Sequence, residues 1–338
     1  MKVNLANLQV VIFSRNRHEQ LIESLRYWDN CGIKTLVLHN TQQPLKPAEI
    51  PSSTEYIVHE GPFAERCEIA SKVLKFDYFI IASDDERYLP TALTNMVKEL
   101  EKSQELASVG GQAIGIMKYG LRFGTTPAYK SQVKYQNLNS EFQNRVIFHY
   151  EGDQNYSGAM YRIFRREHFK RFLKLISKFS NIGTPYIFEV TSELFWTLIG
   201  PARYVNEVFW VRNWIVPPVQ TSDWDRKQYF YEWAQDPKYR KELDFWKRMF
   251  TDEFNLLEEN PAIFETVLRQ RMIIEKKEQQ RNEKMSVQRF SSTRKITRII
   301  SSVSKSKYQQ KELNFQLKNL GLEVRNDELA AALYSITT

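Results

Sequence analysis

A short apolar run that ends in three consecutive acidic residues most constrains the fold of this chain. Phe79 to Ala82 are uncharged and apolar, and Asp84, Asp85 and Glu86 follow after one serine. Such a run is typical of a strand buried on both faces of a sheet. Three adjacent carboxylates repel one another, so we expect a cation beside them. Carboxylate and phosphate oxygens are the ligands that Mg²⁺ and Mn²⁺ prefer, which suits chemistry on a diphosphate.

Strands and helices alternate along the first hundred residues. The pattern predicts strands at 10–13, 35–38, 56–58 and 78–82, with helices between them and a helix at 90–102. Further strands are predicted at 108–117 and 204–211, and further helices at 165–177 and 187–199, whereas the polar stretch 118–154 predicts long surface loops. This alternation predicts an α/β fold with a mostly parallel, doubly wound, Rossmann-like sheet.

Three polar loops follow strands in this pattern, at 14–17, 39–41 and 83–86. Because ligands of doubly wound sheets bind beyond the carboxyl ends of the strands, these loops are expected to share one edge and one site. The acidic run therefore has predicted neighbours that are remote in sequence.

The second part of the chain differs in composition. The formal net charge is +8, and 13 basic against four acidic residues between Glu265 and Lys311 give that segment a charge of +9. The rest of the chain is therefore close to neutral. Pro217-Pro218 breaks the pattern, which predicts one α/β domain over 1–217 and a helical, basic region over 218–338.

The basic segment 284–311 has two open interpretations. Apolar residues alternate with Lys and Arg, so it could lie as an amphipathic helix on the anionic inner leaflet of a membrane, or form a charged helical arm that binds a partner. No nucleic acid partner is expected, because the body is near neutral and carries no nucleic-acid-binding motif.

The two cysteines and the N-terminal residues predict the compartment. Two cysteines are too few for a disulfide framework, the first residues lack a long apolar stretch, and nowhere do some 18 uncharged apolar residues run together. We expect a cytoplasmic protein, peripheral at the inner membrane if 284–311 binds lipid.

The order of these motifs resembles the GT-A nucleotide-sugar transferases, especially the bacterial family-2-like glycosyltransferases of surface polysaccharide synthesis. Four places carry the resemblance: the strand and Ser-Arg-Asn-Arg loop at 10–17, the strand and acidic pair at 77–85, Ser-Gly-Ala at 157–159 with Arg-Arg-Glu-His-Phe at 165–169, and Glu189 eleven residues before Gly200. The resemblance implies a GT-A fold that transfers a sugar from a nucleotide-sugar donor to a hydroxyl of a glycan or lipid-linked acceptor. It also implies an inverting reaction that depends on Mn²⁺ or Mg²⁺.

The resemblance assigns candidate residues to the metal and the donor. Ser83 stands at the first acidic position of the family's Asp-x-Asp motif and Asp85 at the second, so Asp85 is the expected metal ligand, with Glu86 assisting. The residues expected to bind the nucleotide sugar are Ser14, Arg15, Arg17, His39, Asp84 and Arg212. His39 lies near the position where many members have an Asp that reads uracil, which leaves the base of the donor open.

Two carboxylates are candidates for the catalytic base. Glu189 stands where the family has this residue, and Glu193, one helical turn later, is the second choice. Repulsion between them would raise one pKa toward neutrality, which suits a base that works near pH 7. Glu189 could equally be an ordinary first-turn carboxylate favoured by the helix dipole, and the acidic run could be a solvated turn that caps the helix after Pro90.

Two other functions remain open on the sequence alone. A nucleotidyl- or phosphotransferase would use carboxylates and a metal on a similar sheet, but it would normally carry a Gly-rich phosphate loop, and the loop at 14–17 has no glycine. A catalytically inactive, glycan-binding relative would explain Ser83 in place of an acid.

Overall fold

The protein, described here by a computed structural model, is an α/β structure with one ten-stranded sheet and helices on both of its faces. The structure describes residues 5–119, 122–128, 136–138, 140–151, 159–180, 186–213, 229–256, 261–291 and 326–337. The strands are β1 (Leu8–Arg15), β2 (Lys34–Asn40), β3 (Thr54–Val58), β4 (Tyr78–Ala82), β5 (Arg87–Tyr88), β6 (Ser108–Tyr119), β7 (Arg122–Ala128), β8 (Gln136–Asn137), β9 (Ile163–Arg165) and β10 (Ala202–Asn213). The helices are α1 (His18–Asn30), α2 (Phe63–Val73), α3 (Pro90–Lys102), α4 (Phe142–Glu151), α5 (Arg166–Ile176), α6 (Tyr186–Leu198), α7 (Phe230–Gln235), α8 (Arg240–Phe254), α9 (Pro261–Ser291) and α10 (Asn326–Thr337).

The sheet is mixed, with a parallel half around β1. Its order is β3-β2-β1-β4-β9-β6-β10-β5, with β7 paired to β6 and β8 to β10. The pairs β2–β3, β1–β2, β1–β4 and β6–β10 are parallel, whereas β9 runs antiparallel between β4 and β6. Since β6 and β10 thus point the same way as β1, β2 and β4, all five strands end at one edge, which we call the carboxyl edge. The predicted α/β class is confirmed.

Alternate residues of the central strands bury opposite faces of the sheet. Val10 and Ile12 of β1 face a core that includes Trp28 of α1, together with residues of α3 and α10. Val11 between them faces a second core, built with α2, α5, α6, α8 and α9, that includes Trp246. This period of two, with both faces apolar, explains why β1 and β4 read as unbroken apolar runs.

The helical C-terminal part that the sequence predicts is confirmed, and it packs on the sheet. Trp246 of α8 is fully buried and donates its indole N–H to Thr191 Oγ1 of α6 at 2.9 Å. Leu329 and Ala332 of α10 are buried in the first core. The boundary predicted at 217 lies outside the described residues.

The segment between β6 and β9 differs from its sequence prediction. The stretch 118–154, predicted as loops, contains β7, β8 and α4. In α4 the buried positions include Arg145 and His149 as well as Val146, so the helix shows no clear apolar period in the sequence. The motif residues Ser157 and Gly158 lie outside the described residues, and Ala159 begins a short 3₁₀ turn, Ala159–Tyr161, ahead of β9.

The basic segment 284–311 is described only as far as Ser291, the last residue of α9, so its membrane or partner role stays a prediction. Within the described ranges, no helix combines the length and apolar character needed to cross a membrane.

Candidate active site

Loops from three neighbouring strands are tied together at the carboxyl edge. The Asn16 amide donates to the Asn40 carbonyl at 3.3 Å, and the Asn40 side chain donates to the Gly61 carbonyl at 2.9 Å. Asn16 has a φ of 53°, in the left-handed region that non-glycine residues seldom occupy. Such backbone strain is held by its surroundings and is commonly found at functional sites.

The loop Ser83–Glu86, which we call the acidic loop, is bridged to the first loop by Arg17. Arg17 Nη1 lies 2.8 Å from Asp84 Oδ1, and Nη2 lies 2.7 Å from Asp85 Oδ2. Ser14 Oγ donates to Asp84 Oδ2 at 2.7 Å. The structure therefore brings together Ser14, Arg17, Asp84 and Asp85, as predicted from their places after β1 and β4, and it supplies a guanidinium as the compensating cation.

Glu86 points to a different partner. Its side chain is buried, and Arg212 Nε at the end of β10 lies 3.3 Å from Glu86 Oε1. The Arg212 guanidinium also lies 5.3 Å from the ring of Trp210. Burial raises the pKa of Glu86 to about 7, and the positive charge of Arg212 only partly offsets this. The structure therefore pairs Glu86 with Arg212, and its assistance to a metal ion stays a prediction.

Arg87 fixes the backbone of the acidic loop. Its buried guanidinium donates to the carbonyls of Asp84 and Glu86 at 3.1 and 2.9 Å, and to Ser335 Oγ of α10 at 3.1 Å. Burial lowers the pKa of Arg87 to about 10, so it stays charged at neutral pH. The carboxylates are thus aimed by a side chain that the sequence analysis did not single out.

The alternative in which the acidic loop caps α3 is wrong. The Thr91 amide in the first turn of α3 donates to Glu328 Oε2 of α10 at 3.0 Å, and the Thr91 hydroxyl donates to the same carboxylate. The N-terminus of α3 is therefore capped by a glutamate that is remote in sequence, and not by the carboxylates of the acidic loop.

Arg66 is a further candidate that the sequence analysis missed. It is buried in α2, and its Nη1 donates to the carbonyls of Ser14 and Leu38 at 3.0 and 3.2 Å, at the ends of β1 and β2. Within the described part of the chain it forms no ion pair with a carboxylate. Burial lowers its pKa to about 10. A charged arginine on a helix face otherwise formed by Ala64, Cys67 and Ala70 is the signal that could have identified it.

An aromatic chain places Glu189 beside the carboxyl edge. The ring of Phe13, near the end of β1, lies 4.8 Å from that of Phe63, which lies 5.1 Å from that of Phe188. Glu189 is the next residue, in the first turn of α6, and its side chain is partly exposed. The first turn of α6 therefore lies near the end of β1, at the carboxyl edge.

Tyr161 lies between the acidic loop and α6. Its ring stacks on Trp210 at 4.1 Å. Burial raises its pKa well above the usual value of 10, and the negative charges of Glu86, Glu189 and Asp85 raise it further. The Ala159–Tyr161 turn packs against both α6 and β4, so α6 and the strand that leads into the acidic loop meet at this turn.

The two candidate bases have different surroundings. Arg271 Nη1 of α9 lies 3.3 Å from Glu189 Oε1. Glu193 is buried, and burial raises its pKa to about 8, although the positive charge of Arg271 opposes the shift. At neutral pH Glu193 is therefore mostly protonated. Glu189 is the carboxylate of this pair that stays within reach of solvent.

His39 and Arg15 differ from the other predicted donor residues. His39 is fully buried, its Nδ1 lies 2.6 Å from the Tyr56 hydroxyl, and burial lowers its pKa to about 4, so the imidazole is neutral. This position makes it a support for the loop after β2, and its contact with a nucleotide stays a prediction. Arg15 is exposed at the end of β1, where a ligand can reach it.

The carboxylates fit a metal ion only with help from a ligand. Asp84 and Asp85 carry the oxygens that Mg²⁺ and Mn²⁺ prefer. Among the residues that the structure describes, no group of three or more His, Cys, Asp and Glu side chains is arranged to hold a metal. Magnesium sites commonly use one or two carboxylates and complete the shell with phosphate and water. Asp84 and Asp85 are compatible with such a shared site.

Comparisons with known proteins place the chain only loosely. No protein-family model matches it, and no curated protein matches it. Two solved structures of S. aureus TarS are similar. One is 11% identical with a TM-score of 0.43 and covers 75% of this chain and 44% of that chain. The other, of TarS 1-349, is 12% identical with a TM-score of 0.41 and covers 75% of this chain and 73% of that chain.

The chain thus spans less than half the length of the first TarS structure.

Proposed function

We propose that this protein is a glycosyltransferase that moves a sugar from a nucleotide-sugar donor to a hydroxyl of a glycan or lipid-linked acceptor in bacterial surface polysaccharide synthesis. In this reaction the acceptor oxygen forms a bond to the anomeric carbon as the bond from that carbon to the phosphate oxygen breaks. The electron pair leaves with the nucleoside diphosphate, and the acceptor proton goes to a base. A single displacement of this kind inverts the anomeric centre.

The basic side chains of the carboxyl edge would bind the leaving diphosphate. Arg17, Arg212 and Arg66 are held there by the acidic loop and by strand-end carbonyls. Positive groups positioned where negative charge develops stabilise the transition state, because they need little reorganisation during the reaction. A divalent ion, Mn²⁺ or Mg²⁺, would be held by Asp84 and Asp85 and would neutralise the same charge.

Glu189 would be the general base. It is a partly exposed carboxylate at the start of α6, next to the aromatic chain that leads to β1. A positioned base of this kind contributes about 10²- to 10⁴-fold to a rate. Buried Glu193 would not take the acceptor proton, because its raised pKa leaves it protonated near pH 7.

The convergence of the acidic loop and α6 on Tyr161 carries the proposal. Glycosyl transfer needs a site for the leaving phosphate and a base on the opposite side of the anomeric carbon. The Ala159–Tyr161 turn packs against β4, which leads into the acidic loop, and against α6, whose first turn carries Glu189. The space beside this turn is therefore where a donor sugar would lie.

The experiment begins with a thermal-shift screen of UDP-, GDP-, CMP- and TDP-linked sugars on the full chain, with and without Mn²⁺. A donor that binds only the folded state raises the melting temperature. Nucleotide release from that donor is then measured for wild type and Glu189→Gln. We expect Glu189→Gln to keep donor binding and to lose about 10²- to 10⁴-fold in rate.

Glu167→Gln is the matched control, since Glu167 is an exposed first-turn glutamate of α5. It should behave as wild type. If no sugar nucleotide shifts the melting temperature and none is turned over, the enzyme proposal fails and the glycan-binding alternative is favoured. Release of pyrophosphate in place of a nucleoside diphosphate would favour the nucleotidyltransferase alternative.

A further inference from the structure

Helix α9, from the C-terminal helical region, delivers a buried arginine to the candidate base. Arg271 is 3% exposed, and its Nη1 lies 3.3 Å from Glu189 Oε1. On its other side, Arg271 Nε lies 3.4 Å from Glu275 Oε1, one turn further along α9. The amide of Tyr231 in α7 donates to Glu275 Oε2 at 2.8 Å, which fixes Glu275 in position beside Arg271.

The two glutamates of α6 compete for ionisation. Glu189 and Glu193 are one helical turn apart, and two carboxylates this close in partly dry surroundings resist carrying a charge at the same time. Their environments separate them, because the Glu189 side chain is 34% exposed whereas Glu193 is 3% exposed and its Oε1 has no hydrogen-bond partner among the described residues. When two such groups have different surroundings, one keeps the proton and the other the charge.

We propose that Arg271 is a positioning residue for the base: it pairs directly with Glu189, fixes the direction of that carboxylate and keeps a positive charge beside it. This inference rests on the proposed function of Glu189. It makes the C-terminal helical region part of the active site, since the base on the α/β part depends on a charge from α9.

Several charged and titratable groups surround Glu189 and Glu193. Arg271 of α9, Glu193 of α6 and Tyr161 face Glu189. Arg271, Glu189 and Arg162 act on Glu193. Arg271 is the group among these that forms a direct ion pair with Glu189, so its removal is the sharpest perturbation.

The test compares the pH dependence of kcat/KM for nucleotide release in wild type, Arg271→Met and Arg271→Lys. Loss of a neighbouring positive charge favours a protonated carboxyl, so the acid limb of Arg271→Met should move to higher pH by about one unit or more. Arg271→Lys should restore most of this shift. Donor affinity from calorimetry should change by less than about twofold, because Arg271 is not among the donor-binding residues.

Arg171→Met is the matched control, because Arg171 of α5 also pairs with a glutamate of another helix, Glu253 of α8, at 2.8 Å, but does not contact Glu189. Its acid limb should not move. A uniform loss of rate across pH in Arg271→Met, or a lysine variant as impaired as the methionine variant, would overturn the proposal.

Glu275→Gln provides an independent arm if Arg271→Met does not fold. This isosteric change removes a negative charge next to Arg271, and the amide oxygen can still accept from Tyr231. The positive charge of Arg271 then acts on Glu189 without the opposing negative charge of Glu275, so the acid limb should move to lower pH. An unchanged limb in this variant contradicts the inference.

A readout without turnover separates this inference from the proposed function. In a double-mutant cycle of Glu189→Gln and Arg271→Met, measured by urea unfolding at pH 7.5, the pair should be coupled by about fivefold or more in the unfolding equilibrium constant. If the wild type releases nucleotide from no donor, the proposed function fails. Zero coupling in the cycle overturns the inference whatever the activity.

Discussion

Arg87 Nε lies 3.1 Å from Ser335 Oγ, across 248 positions of sequence, and this contact joins the acidic loop to the last described helix. The same guanidinium binds the carbonyls of Asp84 and Glu86. The conformation of the acidic loop therefore depends on a contact with α10, a helix that is remote from the loop in sequence.

Replacement of Arg87 by lysine should destabilise the protein by about 1–3 kcal/mol, since one ammonium cannot replace both the Nη1 contacts to the loop carbonyls and the Nε contact to Ser335 Oγ. Urea unfolding measures this loss. Arg166→Lys is the control, because Arg166 is partly exposed and donates to a single carbonyl, that of Lys75. It should stay within about 0.5 kcal/mol of wild type, and an equal loss in both variants would contradict the role of Arg87.

The buried carboxyl of Glu193 predicts a pH-dependent stability. Burial raises its pKa from 4.5 to about 8, so between these values the folded state binds more protons than the unfolded state. Its contribution to stability is thus present below pH 4.5 and is lost as pH rises toward 8.

The glutamine in Glu193→Gln does not titrate. The free energy of unfolding of this variant, taken relative to wild type, should therefore be higher at pH 8 than at pH 5. Urea unfolding at both values checks this. A constant difference across pH would show that Glu193 has the same pKa in the folded and unfolded states.

Asp85→Ala should abolish any effect of Mn²⁺ on donor binding, because Asp85 supplies one of the two carboxylates expected to hold the ion. Calorimetric titration of the donor with Mn²⁺ and with a chelator measures it. Asp77→Ala, at the opposite end of β4, is the control and should bind as wild type. Equal Mn²⁺ dependence of donor binding in wild type and Asp85→Ala would show that the ion binds at another site.

Arg66→Met should weaken binding of the nucleoside diphosphate by about tenfold or more, since a buried positive charge close to the strand ends is lost from an anion site. Calorimetry with the diphosphate alone gives the affinity. Lys72→Met on the same helix, where Lys72 is exposed and pairs with Glu68, should leave it unchanged. Equal affinities in the two variants would assign Arg66 a purely structural role.

Trp246→Ala tests whether the helical region folds with the sheet. The indole is fully buried in the core shared by α6, α8 and the sheet, so its truncation should cost about 3–5 kcal/mol. A single unfolding transition, shifted as a whole in the variant, is expected in circular dichroism. Two separate transitions, with only one of them shifted, would show that the helices unfold independently.

Local patterns predicted β1 to β4, β6, β10, most helices and the grouping of the loops at one edge. A buried parallel strand must be apolar on both faces, so β1 and β4 are visible as runs such as Val10 to Phe13, and polar residues directly after them must lie at the edge. The proximity of Ser14, Arg17, Asp84 and Asp85 follows from that rule alone. The helix α4 was missed because polar residues such as Arg145 and His149 take buried positions while Ile147 is exposed, which breaks the apolar periodicity.

The amino-acid sequence by itself determined the α/β class, the carboxyl edge and the acidic residues on it, because these depend on periodicity within short segments. Only the tertiary structure decided which charges meet: Arg17 on Asp84 and Asp85, Arg212 on Glu86, and Arg271 on Glu189, 82 positions apart. No spacing rule encodes such pairs, since the partners are brought together by the packing of separate helices and strands. Burial, which likewise exists only after packing, separates buried Glu193 from accessible Glu189, although the two residues look alike in sequence.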